Sequence, residues 1–215
     1  MNLGEYIAGD NTLLLAHLNN NFTDDSGNGY DGTGSGTYSF VNGKIGTHSC
    51  DFTNGIVPFS KDINPTSNYT ISFWMKPDSF GQSAYVLGKH QDSSGGTQWF
   101  VIFGVSNYGN NNVTLFYQAS TAAKMEIPDL TNWHNVVYTN NGTNFYGYID
   151  GKRIVSTGNV TLPDINVTFR IGKAFASAGS SRYTGKIDEV IVESRGWTAQ
   201  EVQKYYTQAL GRFNN

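Results

Sequence analysis

A chain of 215 residues carrying a net charge of −3 fits one all-β domain and lacks the basic balance that nucleic acid demands. Charged residues make up only 14%, against about 25% in ordinary domains, while 25 Gly, 13 Tyr and abundant Asn and Thr give a surface of turns and neutral hydrogen-bonding groups. No block of like charge marks a tail or membrane patch, no apolar run is long enough to span a bilayer, and Cys50 stands alone, which excludes an internal disulfide framework.

Residues 1–11 are polar and read as an N-terminal arm, leaving 12–215 as the domain. The segment MNLGEYIAGDNT has no basic stretch followed by an apolar run, so no secretory signal is expected. Thr12–Leu18 (TLLLAHL) is a buried strand by its apolar run. Asn19–Gly36 is polar and contains Gly27-x-Gly29-x-x-Gly32, a literal dinucleotide fingerprint. That motif works only where a helix opens behind it, and the following GTGSGTYSF cannot open one, so nucleotide binding is set aside. Asn-x-Thr sequons at Asn21, Asn68, Asn112, Asn141, Asn159 and Asn166 are read as chance in an Asn- and Thr-rich chain.

Tyr69–Pro77 (YTISFWMKP) alternates, placing Tyr69, Ile71, Phe73 and Met75 on one face and Thr70, Ser72, Trp74 and Lys76 on the other. Tyr85–Lys89, Gln98–Val105 and Val113–Gln118 read as strands between Gly/Ser/Asn loops, and 119–131 as a connection. Trp133–Thr139, the turn Asn140-Asn141-Gly142, Thr143–Ile149, the hairpin dipeptide Asp150-Gly151 and a strand from Lys152 make a three-stranded meander. Thr168–Gly172 and Ile187–Glu193 complete the strands. Thr198–Leu210 is a helix, capped by Thr198 with Glu201, carrying one apolar stripe (Val202, Tyr205, Tyr206, Ala209, Leu210) and ending on Gly211 as its C′ residue.

The meander phrases Trp133-His134-x-Val136 and Tyr148-Ile149-Asp150-Gly151 resemble the hairpin of laminin-G-like domains in the concanavalin A-like lectin/glucanase superfamily. The likeness extends to an opening strand at Thr12–Leu18, an Asp-x-Ser-Gly-x-Gly-type loop (Asp24 or Asp25, Ser26, Gly27, Gly29), Gly43–Phe52, Tyr69–Pro77 and the closing phrase Gly185-x-Ile187-Asp188-Glu189-Val190. It covers about residues 12–206. What it implies is an all-β, two-sheet antiparallel jelly-roll sandwich with one short C-terminal helix.

Retaining glucanases of that superfamily carry Glu-x-Asp-x-x-Glu on one strand. Here Lys186 occupies the nucleophile position, and Val190 or Ile191 stands where the acid would be. Two carboxyl groups about 5–5.5 Å apart, the requirement of that chemistry, are not supplied, so the chain is expected not to be an enzyme. The four histidines, 17, 48, 90 and 134, form no His-Glu-x-x-His pair, and His134 is read as a hydrogen-bonded structural residue. Asp188 is either a loop-capping aspartate or a calcium ligand. In this superfamily the first and last strands commonly lie together, which would pair Asp188 with Asp25 or Asp24 around a structural Ca2+.

Sugars stack on aromatic faces while polar groups take their hydroxyls. Trp74 and Trp133 lie in family core phrases and Trp197 precedes the helix, which leaves Trp99, Tyr85, Tyr117 and Tyr183 as candidate ligand-binding residues. The functional expectation is a non-catalytic recognition or adhesion module with a glycan or cell-surface polysaccharide as ligand. Its alternative is a structural component of a virus particle, a phage head or tail-fibre domain, contacting other virion proteins. Homo-oligomers are compatible with both, membrane insertion with neither, and a virion or extracellular surface is the corresponding location.

Overall fold

The computed structural model describes residues 4–60, 63–90, 98–118, 120–173 and 182–210, with the side chain of Tyr108 left aside. Its strands are β1 (Thr12–Ala16), β2 (Ser35–Asn42), β3 (His48–Pro58), β4 (Asn68–Pro77), β5 (Ala84–His90), β6 (Gln98–Phe103), β7 (Asn112–Tyr117), β8 (Ser120–Glu126), β9 (His134–Asn141), β10 (Asn144–Ile149), β11 (Lys152–Gly158), β12 (Arg170–Ile171) and β13 (Gly185–Glu193), followed by helix α1 (Ala199–Leu210). β2 and β8 fall in stretches that the sequence left unassigned; both lack the dense β-branched pattern that identifies the others.

Hydrogen bonding joins the 13 strands along one path, β11-β10-β9-β4-β13-β3-β12-β5-β6-β7-β8, with β1 added to β13 and β2 to β3. The path folds back until β8 contacts β10 and β11, giving an all-β sandwich or nearly closed barrel-like sheet. Its two walls, β9-β4-β13 on one side and β5-β6-β7 on the other, share one core. Tyr69, Ile71, Phe73 and Met75 of β4 meet Trp99, Val101 and Phe103 of β6 and Val113 and Leu115 of β7 there, as does the fully buried Cys50. Burying rings of this size contributes about 1.5–3 kcal/mol each, which makes this layer the dominant stabilising feature.

The meander closes as its turn dipeptide requires. Asp150 and Gly151 both adopt positive φ, 52° and 75°, the geometry of a type I′ turn. The Asp150 carboxylate reaches back to β9, with Oδ2 2.7 Å from His134 Nδ1 and Oδ1 accepting the Asn135 amide at 2.9 Å. His134 therefore serves the hairpin.

Helix α1 lies on the outer face of the first wall. Thr198 Oγ1 accepts the Glu201 amide at 3.2 Å, and Glu201 Oε2 accepts the Thr198 amide at 2.7 Å, completing the capping box. Val202, Tyr205 and Ala209 are buried, and Tyr206 stacks on Trp74 at 5.8 Å. Trp74 is thus fully buried, but beneath the helix rather than between the walls, while Trp133 is half-buried beside it. Gly211 lies outside the described residues. No helix among the described residues is long and apolar enough to cross a membrane.

Candidate ligand-binding face

The strand that would carry catalytic carboxylates in a glucanase is β13, and it breaks its ladder with β4 between Asp188 and Ile191. Glu189 takes a positive φ of 50°, a β-bulge that puts two consecutive carboxylates at one site. On the same edge of β13, β3 pairs with Gly185–Ile187 and β1 pairs with Val190–Glu193, so the bulge marks the exchange of one neighbour for the other. Both carboxylates are spent on holding the arriving segments. Asp188 Oδ2 accepts the Lys44 and Ile45 amides at 2.7 and 2.8 Å. Glu189 Oε1 accepts the Tyr6 amide, and Oε2 lies 2.7 Å from His17 Nδ1.

Burial pushes the Asp188 carboxyl well above the usual carboxylate range, against the pull of the Ile45 and Lys44 amides. Burial raises Glu189 as well, with His17 drawing it back. Burial lowers the His17 imidazole, but the hydrogen bond and charge of Glu189 outweigh it and leave His17 raised. Lys186, in the nucleophile position, pairs with Asp51 at 3.1 Å.

Near this site the N-terminal arm is docked rather than loose. The Tyr6 ring sits 5.5 Å from Trp197 and 6.1 Å from Tyr205, and its hydroxyl donates to Glu193. Trp197 Nε1 donates to the other Glu193 oxygen at 2.6 Å, so Trp197 fastens the helix to the wall. The sequence reading of a polar arm onto the fold did not name this contact, because a single tyrosine in a polar stretch carries no periodic signal.

The outer face of the second wall is different. Alternation sends Phe100 and Ile102 of β6 away from the core into a separate cluster with half-buried Tyr85, Val105 and Phe116. Register aligns two rows across four strands: Tyr85, Ile102, Thr114 and Lys124, then Gly88, Phe100, Phe116 and Thr121. Phe100 and Phe116 stack at 5.5 Å. Tyr85 meets Phe100 edge-on at 4.7 Å, and His90 lies 5.5 Å from the same ring. Gly88, at φ 138°, makes this possible: a Cβ there would stand 2.5 Å from Phe100 Cα. Burial raises the Tyr85 hydroxyl above its ordinary value. The rows hold an aromatic centre rimmed by exposed Thr121 and Lys124, and they contain no carboxylate.

Of the four aromatic candidates, Tyr85 lies on this face. Trp99 and Tyr183 are fully buried in the common core, so neither ring offers a face to a ligand. Trp99 packs 5.8 Å from Phe169, and the Tyr183 hydroxyl donates to the Lys186 carbonyl at 3.2 Å. Tyr117 pairs with Trp99 across the β6–β7 ladder and packs half-buried against the same core. The Gln91–Gly96 loop that drew attention to Trp99 lies outside the described residues. Phe100, Phe116 and Gly88 were missed because WFVIF is apolar on both faces and only the register with β7 separates them.

The structure does not bring the Asp188 and Asp25 carboxylates together through any hydrogen bond or ion pair among the described residues. Asp25 is exposed, and the charges that weigh on it are His17, Asp24, Glu5 and Asp31. Asp24 organises the loop instead, accepting the Leu15 and Ser26 amides on Oδ1 at 3.1 and 3.0 Å and the Tyr30 amide on Oδ2 at 2.9 Å. No group of three or more His, Cys, Asp or Glu among the described residues could hold a metal ion. The Asp188 Oδ1 atom is buried without a hydrogen-bond partner, so one oxygen is all that this residue could offer a cation.

A laminin-G family model, described as concanavalin A-like lectin/glucanases superfamily, matches residues 51–203. The chain belongs to this superfamily. No curated protein matches the sequence. Among solved structures, this superfamily member is similar to domain 4 of AbnA, a GH43 extracellular arabinanase from Geobacillus stearothermophilus, solved in complex with arabinotriose. The TM-score is 0.73 at 18% identity, covering 91% of this chain and 98% of that one. It is also similar to the binding domain of Paraclostridial Mosquitocidal Protein 1, with TM-score 0.70, 17% identity and coverage of 95% and 53%. A third is a botulinum neurotoxin type C structure concerned with interaction with two ganglioside molecules, with TM-score 0.66, 17% identity and coverage of 93% and 51%. The chain therefore spans about half the length of the toxin structures. At these identities the likeness establishes the fold.

Proposed function

We propose that this chain is a non-catalytic glycan-recognition module whose ligand stacks on Tyr85 and Phe116, the half-buried rings that pack on Phe100. The observation that carries the reading is this outward cluster, in which half-buried Tyr85 and Phe116 pack over buried Phe100 and Ile102 beside the exposed hydroxyl and amine of Thr121 and Lys124. Stacked rings offer apolar area to the C–H face of a sugar, and the rim offers hydrogen bonds to its hydroxyls. The similar structures lend support, since one was solved with arabinotriose and another concerns gangliosides. We read the two walls as the two sheets of an antiparallel jelly roll, with the ligand on the outer surface of one sheet.

The non-catalytic part of the reading is supported by the fate of the β13 carboxylates. Asp188 and Glu189 are fully buried and engaged with backbone amides and His17, and Lys186 is paired with Asp51. Glycoside hydrolysis needs two carboxyl groups facing one bond, and these face the chain's own backbone. The experiment is a glycan array spanning neutral arabino-oligosaccharides and gangliosides, run together with assays of laminarin, lichenan and agarose cleavage. Binding without turnover supports the proposal. Turnover lost with Asp188→Asn refutes the non-catalytic part, and stable oligomers that bind no glycan favour assembly of a particle instead.

A further inference from the structure

Lys89 lies on the inward side of β5, in step with Leu87 and paired across the ladder with Trp99, and its side chain is fully buried. Taking an ammonium out of water is costly, and lysines are almost never fully buried without a compensating partner. The layer it enters is apolar: Ile63, Trp99, Ile165 and Phe169 belong to the same core. Into this layer the segment before β4 brings a carboxamide. Lys89 Nζ donates to Asn64 Oδ1, and the same oxygen accepts the Ile165 amide at 3.4 Å. Asp164, exposed next to Ile165, is the carboxylate whose charge acts on Lys89.

An amine held against a carboxamide in a dry site is a pair of reactants. Three things decide whether they react: an amine without its extra proton, a carbonyl carbon within reach, and a carrier for the proton that must move. Burial lowers the Lys89 ammonium to about 8, against the upward pull of Asp164, so a share of the amine is uncharged near neutral pH. Contact with Oδ1 places Nζ beside Asn64 Cγ, which replaces a chance collision by a held approach. The Ile165 amide points at the oxygen on which negative charge would develop.

We propose that Lys89 and Asn64 join in a spontaneous intramolecular isopeptide bond. Uncharged Lys89 Nζ attacks Asn64 Cγ, the new N–C bond forms, and the carbonyl electron pair moves onto Oδ1. Asp164 accepts a proton from Nζ and delivers it to Nδ2. The Cγ–Nδ2 bond then breaks, ammonia leaves and the carbonyl re-forms. One amide replaces another, so the step consumes no oxidant, reductant or cofactor. The product leaves no ammonium in the core, and it ties β5 to a segment 25 positions earlier in the chain. A covalent tie of that span restricts the unfolded chain as a disulfide would, in a protein whose single cysteine cannot form one internally. The bond uses neither Tyr85 nor Phe116, so this reading and the glycan reading stand or fall separately.

Mass spectrometry of the full chain, purified folded and then denatured, tests this. The wild type should be lighter by one ammonia than the 23.6 kDa of its sequence. Trypsin should leave it uncut after Lys89 and yield a branched peptide joining Lys89 to Asn64. Lys89→Met and Asn64→Ala should each keep their full mass and yield no branched peptide, and Asp164→Asn should lower the cross-linked fraction. Should the core variants fold poorly, the branched peptide of the wild type decides the matter alone. A wild type that keeps its full mass after incubation above pH 8, or that yields no branched peptide, would overturn the proposal. So would a deficit of one ammonia that persists in Lys89→Met, since that marks ring closure at an asparagine elsewhere. A cross-linked fraction unchanged in Asp164→Asn would overturn the part given to Asp164.

Discussion

The two outer faces of this sandwich are built from opposite materials. The first wall turns Asp188, Glu189 and Glu193 outward, then buries them against the Lys44 and Ile45 amides, the N-terminal arm and Trp197 respectively. The second wall turns Phe100, Ile102 and Phe116 outward, with Tyr85 and His90 at their flank and no carboxylate in the rows. Carboxylates serve the first face because strand exchange along β13 and the arriving arm leave backbone amides to be satisfied, and unsatisfied amides are costly when buried. Rings serve the second because they add apolar area without needing partners. The superfamily's acidic closing strand is therefore an anchoring device in this chain, and ligand chemistry is sought on the other side of the molecule.

The largest expected effect comes from breaking the anchor. Asp188→Ala strands the Lys44 and Ile45 amides, and each unsatisfied buried donor costs about 1–3 kcal/mol, so a loss of about 2–4 kcal/mol is expected. For a domain of this size that lowers Tm by roughly 5–15 °C in differential scanning calorimetry. Asp188→Asn keeps an acceptor oxygen and should recover most of the loss. The same measurement decides the calcium question. If Asp188 serves the amides alone, chelation leaves the wild-type Tm in place, whereas a drop restored by calcium and abolished in Asp188→Asn would return a metal to this site.

A smaller effect sharpens the comparison through pH. The carboxyls of Asp188 and Glu189 and the imidazoles of His17 and His134 all have raised pKa values in the folded state. At these four groups the folded protein holds more protons than the unfolded chain, and the stability they contribute falls as pH rises through them. Above pH 6.5, the ordinary histidine value, His17 and His134 contribute to the fall by losing their protons beside Glu189 and Asp150. Each contributes at most about 1.4 kcal/mol per pH unit. His17→Gln should flatten the Tm profile between pH 6 and 8, and a profile of unchanged slope would show that the His17–Glu189 pair carries no linkage. The smallest effect is expected of Lys186→Met: the Lys186–Asp51 pair is over a quarter exposed on the lysine side, and such bridges contribute about 0–1 kcal/mol. A far larger loss in thermal unfolding would mean that Lys186 does more than neutralise Asp51.

Much of the fold was legible because local rules and tertiary environment agree. Asp150-Gly151 demanded a turn and received one, the alternation of β4 was obeyed residue by residue, and Thr198 with Glu201 capped the helix. The candidate site was less legible, for reasons visible in particular residues. Trp99 looked available because it follows a polar loop, but its parity along β6 sends it inward, and its neighbour Phe100 outward. In a strand reading WFVIF, periodicity cannot distinguish the faces, and the pairing of Phe100 with Phe116 is a tertiary fact. Asp188 drew a metal reading because the first and last strands do adjoin, as β1 and β13 confirm, yet the positive φ of Glu189 reorients the local chain in a way no spacing announces.

The central claim is that the aromatic wall, and not the acidic one, meets the ligand. Isothermal titration of the first glycan found on the array, against wild type, Phe116→Ala and Asp188→Asn, tests it most directly. The account predicts that Phe116→Ala weakens binding about tenfold while the circular dichroism spectrum is unchanged, since an aromatic contact contributes about 0.5–1.5 kcal/mol beyond its buried area and about 1.4 kcal/mol is tenfold. It predicts that Asp188→Asn binds as the wild type does. Binding that survives Phe116→Ala and is lost with Asp188→Asn would contradict it.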